Sequence, residues 1–202
     1  MILETNDLID WIADRELLLI TAWTPELVAA LEWNEPLAEA LAGELHAAMM
    51  TTLLRRGTES NFLNLIARSG IGIEPKAEKA VAGRFYDVTL KLARAASRRR
   101  REEASRLIFA YRRATVVNDD RAKPGYHALD GILLPFDHPF WRRWYPPIDI
   151  DDCRCSVAPV TRSQFARLGE PVTSEDELAE RESRLSAAWP PAFERLLDFQ
   201  RV

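Results

Sequence analysis

Both cysteines and two of the three histidines of the chain fall within residues 118–157. Cys153 and Cys155 are separated by one residue, and His127 and His138 precede them. Thiolate and imidazole groups are the usual protein ligands of zinc, and a structural zinc site is closed by four of them in a tetrahedron. The four residues are therefore a candidate zinc site, although only half of the usual ligand spacing is present. Alternatively, the two cysteines are small side chains of a short strand, with at least one of them buried.

A cysteine nucleophile is the second chemistry that this stretch allows. Cys–His catalysis needs a histidine close in space to the thiol and a third group that orients the imidazole. The stretch contains candidates for both roles, namely His127 and His138 as the base and Asp119, Asp120 and Asp130 as the orienting carboxylate. No nucleophile elbow and no family-specific cysteine sequence surrounds Cys153, so the sequence next to the thiol does not itself indicate catalysis.

The acidic residues of the same stretch have a simpler structural interpretation. Asp119 and Asp120 precede the turn at Pro124, and aspartates in such positions accept backbone N–H groups and shape the loop. Arg121 or Arg154 is expected to pair with these carboxylates as a bidentate clamp. The favoured interpretation is a scaffold that holds a long irregular loop against a sheet where ladder hydrogen bonds are missing.

Composition excludes several classes of protein. A chain of 202 residues with 47% apolar residues can form one large domain with a sizeable core. The net charge of −4 argues against a generic nucleic-acid binder. No apolar run approaches the roughly 20 residues of a membrane span, so no membrane partner is expected. The acidic N-terminus does not resemble a signal peptide, and a Cys153–Cys155 disulfide would be strained, so a reducing cytoplasm is expected.

Periodicity predicts an α+β fold that is mostly helical. Residues 1–100 read as helices, with Thr24 and Pro25 expected to begin one of them. Residues 101–162 are expected to form a small antiparallel sheet and a long loop rich in proline and aromatic residues. Helices are expected again over 163–202, and the three segments are expected to form one compact unit.

Finer predictions concern the middle and the end of the chain. A strand is expected over 107–117, and Asp130-Gly131 is expected to turn a hairpin between apolar segments. The stretch 138–152 is too rich in proline for regular structure, and 153–160 is expected to add a last strand. Thr161 and Gln164 form a possible capping box that begins a helix, with Gly169 as its stop, and Ser174 and Pro190-Pro191 are expected to mark the later helix boundaries.

Two groups of residues leave alternatives open. The aromatic residues of the loop fit either a docking surface or a small core beneath the loop: Phe136, Phe140, Trp141, Trp144 and Tyr145. The run Arg98–Arg101 fits either a solvated helix end or a contact with DNA phosphates.

A longer pattern runs through the same stretch. In order, it comprises a strand, Asp119, Arg121, Lys123-Pro124, Leu129-Asp130-Gly131, His138-Pro139-Phe140-Trp141, Tyr145-Pro146-Pro147 and Cys153-Arg154-Cys155. This order resembles the C-terminal signature of the phage Mu F-like minor head proteins, also called phage head morphogenesis proteins. No single piece is specific, but their order over about forty residues is, as is usual for motifs that are identified by their context. The helical N-terminal half has no such match.

The chain departs from this signature at several positions. The family's histidine falls on Tyr126, and His127 lies one residue later. Lys123 stands where the family prefers arginine, and an Asn-Gly pair after the two prolines is replaced by Ile148-Asp149-Ile150. The spacing to Cys153 is one residue longer. Some relatives carry a Cys-x-x-Cys pair upstream that would complete a zinc site, and this chain does not.

The resemblance implies a structural protein of a tailed phage or prophage. Such proteins take part in head assembly, associate with the portal and the capsid, and have the packaged DNA as a further candidate partner. This role implies no reaction of its own, no cofactor other than the candidate zinc, and a location in the virion head after assembly in the cytoplasm. Its structural signature residues here are Asp119, Arg121, Pro124, Gly131 and Arg154. The competing classes are a zinc-binding interaction module outside phage biology and a Cys–His hydrolase or toxin-type enzyme.

Overall fold

The computed structural model describes residues 2–30, 35–69, 75–117, 119, 122, 124–146 and 154–188. The chain divides into two compact units, Met1–Ser97 and Arg98–Val202. The fold is α+β and mostly helical with a small antiparallel sheet, as the sequence predicts. The helices that follow residue 162 belong to the same unit as the sheet. None of the helices within these residues is long and apolar enough to cross a membrane.

Five helices occupy the described residues of the first part of the chain. They are α1 (Ile2–Ala13), α2 (Glu16–Ala30), α3 (Glu35–Leu54), α4 (Glu59–Ser69) and α5 (Pro75–Ala104), of which α5 continues into the second unit.

The predicted helix start at Thr24 and Pro25 is wrong, because α2 runs through both residues. The Thr24 hydroxyl donates back to the carbonyl of Ile20 at 2.8 Å, as in a helix interior. A proline inside a helix costs about 3 kcal/mol. Trp23 and Leu27, on either side of Pro25, are 1% and 0% exposed, and their burial is large enough to offset that cost.

The sheet has three antiparallel strands in the order β2-β1-β3. They are β1 (Phe109–Val116), β2 (Leu133–Pro135) and β3 (Cys155–Thr161), so the strands predicted at 107–117 and 153–160 are both present, with ends that differ by one or two residues. Arg112 of β1 lies opposite Leu134 on one side and Pro159 on the other. Pro159 fits because β3 is an edge strand of this sheet, where a missing N–H donor breaks no inner ladder.

The predicted hairpin at Asp130-Gly131 is wrong. Residues Pro124–Leu129 form a 3₁₀ helix, here η1, so the turn joins that helix to β2. Tyr126 and Leu129 are 1% and 0% exposed, and their spacing of three residues puts both on the buried side of a 3₁₀ helix. The alternation that a strand would require is therefore absent from this segment.

The predicted irregular loop contains one helical turn, α6 (Phe140–Arg143). Residues 147–153 lie outside the described part. The aromatic side chains of this region form a core instead of a docking surface, because each is at most 4% exposed: Phe136, Phe140, Trp141, Trp144 and Tyr145. Four of them pack with residues of the sheet, η1 and α8 in one apolar cluster, and the docking-surface alternative is therefore wrong.

Up to residue 188, where the described part of the chain ends, two helices follow β3, and both begin where the sequence predicts. The helix α7 (Arg162–Leu168) has the capping box of Thr161 and Gln164, and it ends at Gly169 with φ of 65°. The Ser174 hydroxyl accepts the N–H of Glu177 at 3.3 Å and begins α8 (Glu175–Ala188). The expected break at Pro190-Pro191 lies outside the described residues.

Candidate functional site

The first feature of the signature region is an ion pair at the end of the β1–β3 ladder. Arg154 Nη2 lies 2.5 Å from Asp119 Oδ2. The N–H of Val117 donates to the carbonyl of Arg154 at 2.8 Å, and the N–H of Ala122 donates to that of Asp119 at 3.0 Å. Of the two arginines that the sequence allowed as partners, the structure therefore brings Arg154 to the carboxylate. Arg121 lies outside the described residues.

Removing this pair should have a modest effect. Asp119 and Arg154 side chains are 36% and 27% exposed, so water screens their attraction. We expect Asp119→Ala to lower the free energy of unfolding by about 1 kcal/mol, which combines the ion pair with the lost shaping of the turn. Urea denaturation measures it, with Asp137→Ala, an exposed aspartate of the same unit, as the control. A loss of more than 3 kcal/mol in the free energy of unfolding, or no loss at all, would contradict the interpretation of Asp119 and Arg154 as a half-exposed ion pair.

The second feature is the turn that precedes β2. The Asp130 carboxylate accepts the N–H of Val116 at 2.9 Å. Gly131 has φ of 72°, a left-handed conformation that residues with a Cβ adopt only with strain. Its N–H donates to the carbonyl of Ala114 at 3.1 Å, and the N–H of Ala114 donates to Ile132 at 2.8 Å. The pair Asp130-Gly131 therefore extends the pairing of β1 beyond the short strand β2.

The candidate zinc ligands lie on three different elements. His127 belongs to η1, His138 follows β2, and Cys155 begins β3, partly buried against the apolar cluster. Cys153 lies outside the described residues. The described residues contain no group of three or more histidine, cysteine, aspartate or glutamate side chains placed to hold a metal ion.

His138 already has partners for both ring nitrogens. Its Nδ1 accepts the N–H of Phe140 at 3.2 Å, and its Nε2 lies 3.4 Å from Glu175 Oε1. This arrangement fits the neutral ring with its proton on Nε2, and it leaves no lone pair for a metal. A zinc ion at His138 would have to displace the contact with Phe140.

Zinc binding remains a prediction with a direct test. If Cys153 and Cys155 hold zinc with His127, removal of the metal by a chelator should lower the melting temperature, because a metal bound only to the folded state stabilises it. Elemental analysis of the protein purified without chelator provides the second measurement. Stoichiometric zinc that is lost from a Cys153→Ser variant would support the site. A melting temperature that EDTA leaves unchanged, together with no zinc in the purified protein, would remove it.

The third feature, which sequence inspection missed, is a buried charge network of Arg99, Glu102, Glu103, Arg112 and Tyr145. Arg112 is at its centre with a side chain that is 2% exposed. Its Nη2 donates to Glu103 Oε1 at 2.8 Å, and its Nε lies 3.3 Å from Glu102 Oε2 as a contact ion pair. Its Nη1 donates to the carbonyl of Phe136 at 3.0 Å, and its guanidinium carbon lies 3.7 Å from the centre of the Phe136 ring.

Two further members connect the network to the aromatic segment. The Tyr145 hydroxyl donates to Glu102 Oε1 at 2.9 Å. Arg99 Nη1 donates to the carbonyl of Trp141 at 2.9 Å, and its guanidinium carbon lies 5.2 Å from the centre of the Tyr145 ring. Arg99 is 9% exposed, so a solvated helix end is the wrong interpretation for this member of the run Arg98–Arg101. The network thus joins the end of α5 to β1 and to α6.

Burial controls how these groups titrate. It raises the pKa of the Glu102 carboxyl, although the hydrogen bond from Tyr145 and the charge of Arg112 favour the carboxylate. Burial, followed by the neighbouring Glu102, raises the pKa of Tyr145, so its hydroxyl stays a donor. Burial and the charge of Arg112 lower the pKa of Arg99. Burial is the largest cause of the shift for all three groups.

This titration predicts a pH dependence of stability. Because the pKa of Glu102 is higher in the folded state, the folded state holds more protons just above pH 4.5, the carboxyl's ordinary value. Its contribution to stability is therefore complete below that pH and is lost as the pH rises through the raised pKa. Glu102→Gln cannot ionise, so the unfolding free energy of the natural chain minus that of the variant should fall as the pH rises from 4 to 8. A difference that stays constant or rises would contradict the assigned direction.

Comparison with known proteins gives no relative: no family model, no curated protein and no solved structure matches the chain.

Proposed function

We propose that the chain is a minor head protein of a tailed phage or prophage, a structural component of head assembly that associates with portal and capsid proteins. The observation that carries the proposal is the order of residues from Asp119 to Cys155, which follows the signature of the Mu F-like head proteins. In this role the protein performs no reaction of its own. It is assembled in the bacterial cytoplasm and enters the virion head.

The contacts of the signature residues support a scaffold role. Asp119 and Arg154 pair with each other, and the Asp130 carboxylate accepts a backbone N–H of β1. The aromatic residues of the signature are buried in the core, as Trp141 and Trp144 illustrate at 1% and 0% exposure. Residues that are used in this way hold the fold together, which is consistent with a structural role for this region.

The exposed turn between α5 and β1 is the surface that we assign to the contact with the head. Leu107 and Ile108 are 96% and 65% exposed, although both are large apolar side chains. Adjacent exposed apolar residues are a common feature of protein–protein contacts. Exposed charges flank them at Arg101 and Arg106, and arginine is enriched at such contacts.

Affinity purification from the encoding strain tests the proposal. The tagged chain is purified after prophage induction, and the proteins that copurify are identified by mass spectrometry. We expect the portal or the major capsid protein in this fraction. We expect a Leu107→Asp/Ile108→Asp variant to lose them, while Leu54→Asp, an equally exposed leucine of the other unit, retains them. Recovery of neither head protein by the natural chain would contradict the proposal.

A further inference from the structure

The turn between α3 and α4 lines a cavity of about 350 Å³ within the first unit. Three of its lining residues are arginines, Arg55, Arg56 and Arg68, and two are the amides Asn61 and Asn64. None of the described residues that line it is acidic. The volume falls in the range of sites that bind small molecules, about 300–1,000 Å³. The cavity therefore has the size of a ligand-binding site, and the charged side chains that line it are positive.

Within the described residues, the positive charge of this cavity has no paired carboxylate. Arg55, Arg56 and Arg68 are exposed, and among the described residues no carboxylate forms an ion pair with any of them. The guanidinium group donates hydrogen bonds in a planar fork that matches the geometry of phosphate oxygens.

The backbone of the turn holds one of these arginines in a strained conformation. Arg56 has φ of 53°, and it is the only residue other than glycine with a positive φ in the described part of the chain. Its N–H donates to Leu53 at 3.0 Å, and the N–H of Gly57 donates to Thr52 at 2.7 Å, which together are the two bonds of a Schellman motif. Glycine normally occupies the left-handed position of this motif. An arginine there indicates that its side chain has a use that outweighs the strain.

The residue after Arg56 is a glycine, Gly57, which allows two segments of the chain to pack closely. A Cβ at Gly57 would lie 3.1 Å from Thr52 Cγ2 and 3.2 Å from Asn61 Cβ. Gly57 therefore permits the close approach of the end of α3 to the first turn of α4. The Asn61 Oδ1 accepts both the N–H and the hydroxyl of Thr58, at 2.8 Å and 2.9 Å, which leaves the Asn61 NH₂ as the donor for a ligand.

We propose that this arginine cavity binds a phosphate-bearing anion, held by the guanidinium groups of Arg55, Arg56 and Arg68 and by the amides of Asn61 and Asn64. The α4 residues of the cavity extend from Asn61 in the first turn of this 11-residue helix to Arg68 in its last turn. The phosphate can belong to a free nucleotide or to a nucleic-acid backbone. The site does not depend on the proposed role in head assembly.

Titration of the full-length protein with defined probes tests the site. Calorimetry uses inorganic pyrophosphate and a deoxynucleoside monophosphate, and fluorescence anisotropy uses a labelled single-stranded DNA of 20 nucleotides, each at low salt. Loss of one charged donor should weaken binding about tenfold or more, so Arg55→Ala and Arg56→Gly should each do so. Lys91→Ala removes an exposed positive charge from α5 outside the cavity and should leave affinity unchanged.

Arg56→Gly separates binding from folding. Because glycine adopts the left-handed conformation without strain, this variant should keep or raise the melting temperature while it loses affinity. Binding of pyrophosphate or the nucleotide with this dependence on the arginines would identify a small phosphorylated ligand. Binding of DNA alone with the same dependence, weakened by salt, would identify a nucleic-acid backbone. Binding of no probe, or equal binding by Arg55→Ala, Arg56→Gly and Lys91→Ala, would overturn the proposal.

Discussion

Arg112→Met should lower the free energy of unfolding by about 3–5 kcal/mol, the largest effect that we expect from a change of charge. The substitution keeps much of the apolar stem of the side chain but removes the guanidinium group from the buried charge network. The Glu102 side chain, which is 7% exposed, is then left without its cationic partner. The carbonyl of Phe136 loses a buried donor as well. Urea denaturation at pH 7, monitored by tryptophan fluorescence, measures the change.

One further variant and a change of pH distinguish an uncompensated charge from a general packing defect. Adding Glu102→Gln to Arg112→Met removes the carboxylate, so the double variant should be more stable than Arg112→Met alone. Lowering the pH should also reduce the deficit of Arg112→Met, because protonation of Glu102 neutralises the unpaired charge. Equal instability of the single and double variants at every pH would contradict the assigned role of Arg112.

Trp144→Ala should lower the free energy of unfolding by about 3–5 kcal/mol through loss of packing. The side chain is 0% exposed and lies in the cluster that includes η1, the sheet and α8. Its indole Nε1 donates to Glu182 of α8 at 2.8 Å, and its ring lies 6.3 Å from that of Phe140. Because this residue connects α6 to α8, its truncation should also increase hydrogen exchange along α8.

Trp144→Phe is the matched control for this prediction. Phenylalanine keeps most of the buried ring but cannot donate to Glu182, so the loss should be about 1–2 kcal/mol. Hydrogen exchange in α8 should then stay close to that of the natural chain. If Trp144→Ala costs less than 1 kcal/mol, or leaves exchange in α8 unchanged, this tryptophan does not hold the helix.

Local signals predicted the parts of the fold that local interactions determine. The capping box of Thr161 and Gln164 forms because both reciprocal bonds lie within four residues. The β-branched and aromatic residues of 107–117 form β1 as expected. The predicted helix start at Pro25 was wrong, because the burial of Trp23 and Leu27 depends on tertiary packing that local sequence rules do not describe. The predicted hairpin at Asp130-Gly131 was wrong for the same reason. Tyr126 and Leu129 are buried on one side of η1, and this burial also depends on tertiary packing.

The spacing of residues in the sequence indicated the buried charge network, but their charges suggested that they would be exposed to solvent. Arg112 alternates with Ala114 and Val116 along β1, and residues with this spacing share one face of a strand. Arg99 and Glu102 are three residues apart near the end of α5, a spacing that places them on one face of the helix. Arginine and glutamate are almost never fully buried unless they are paired, so a charge run suggested solvent. Their pairing depends on contacts between elements, which periodicity does not encode.

The sequence predicted that Asp119 would pair with an arginine, but it did not identify Arg154 as that arginine. The sequence offered two arginines, and the antiparallel pairing of β1 with β3 decides between them because Val117 hydrogen-bonds to Arg154.

The cavity at the turn between α3 and α4 had a weaker signal in the sequence, namely two arginines directly before Gly57. The third, Arg68, lies on α4 and joins the cavity through the packing of α4 against α3, so the sequence could not reveal that the three share one cavity.

The most direct test of the proposed function is protein mass spectrometry of proheads and mature virions purified from the induced strain that encodes the chain. We predict that this protein is present at a few copies for each head, far below the major capsid protein. Its presence in proheads alone would also agree with a role in assembly. Its absence from both particles, while intact heads form at normal yield from a strain in which the gene is deleted, would contradict the account.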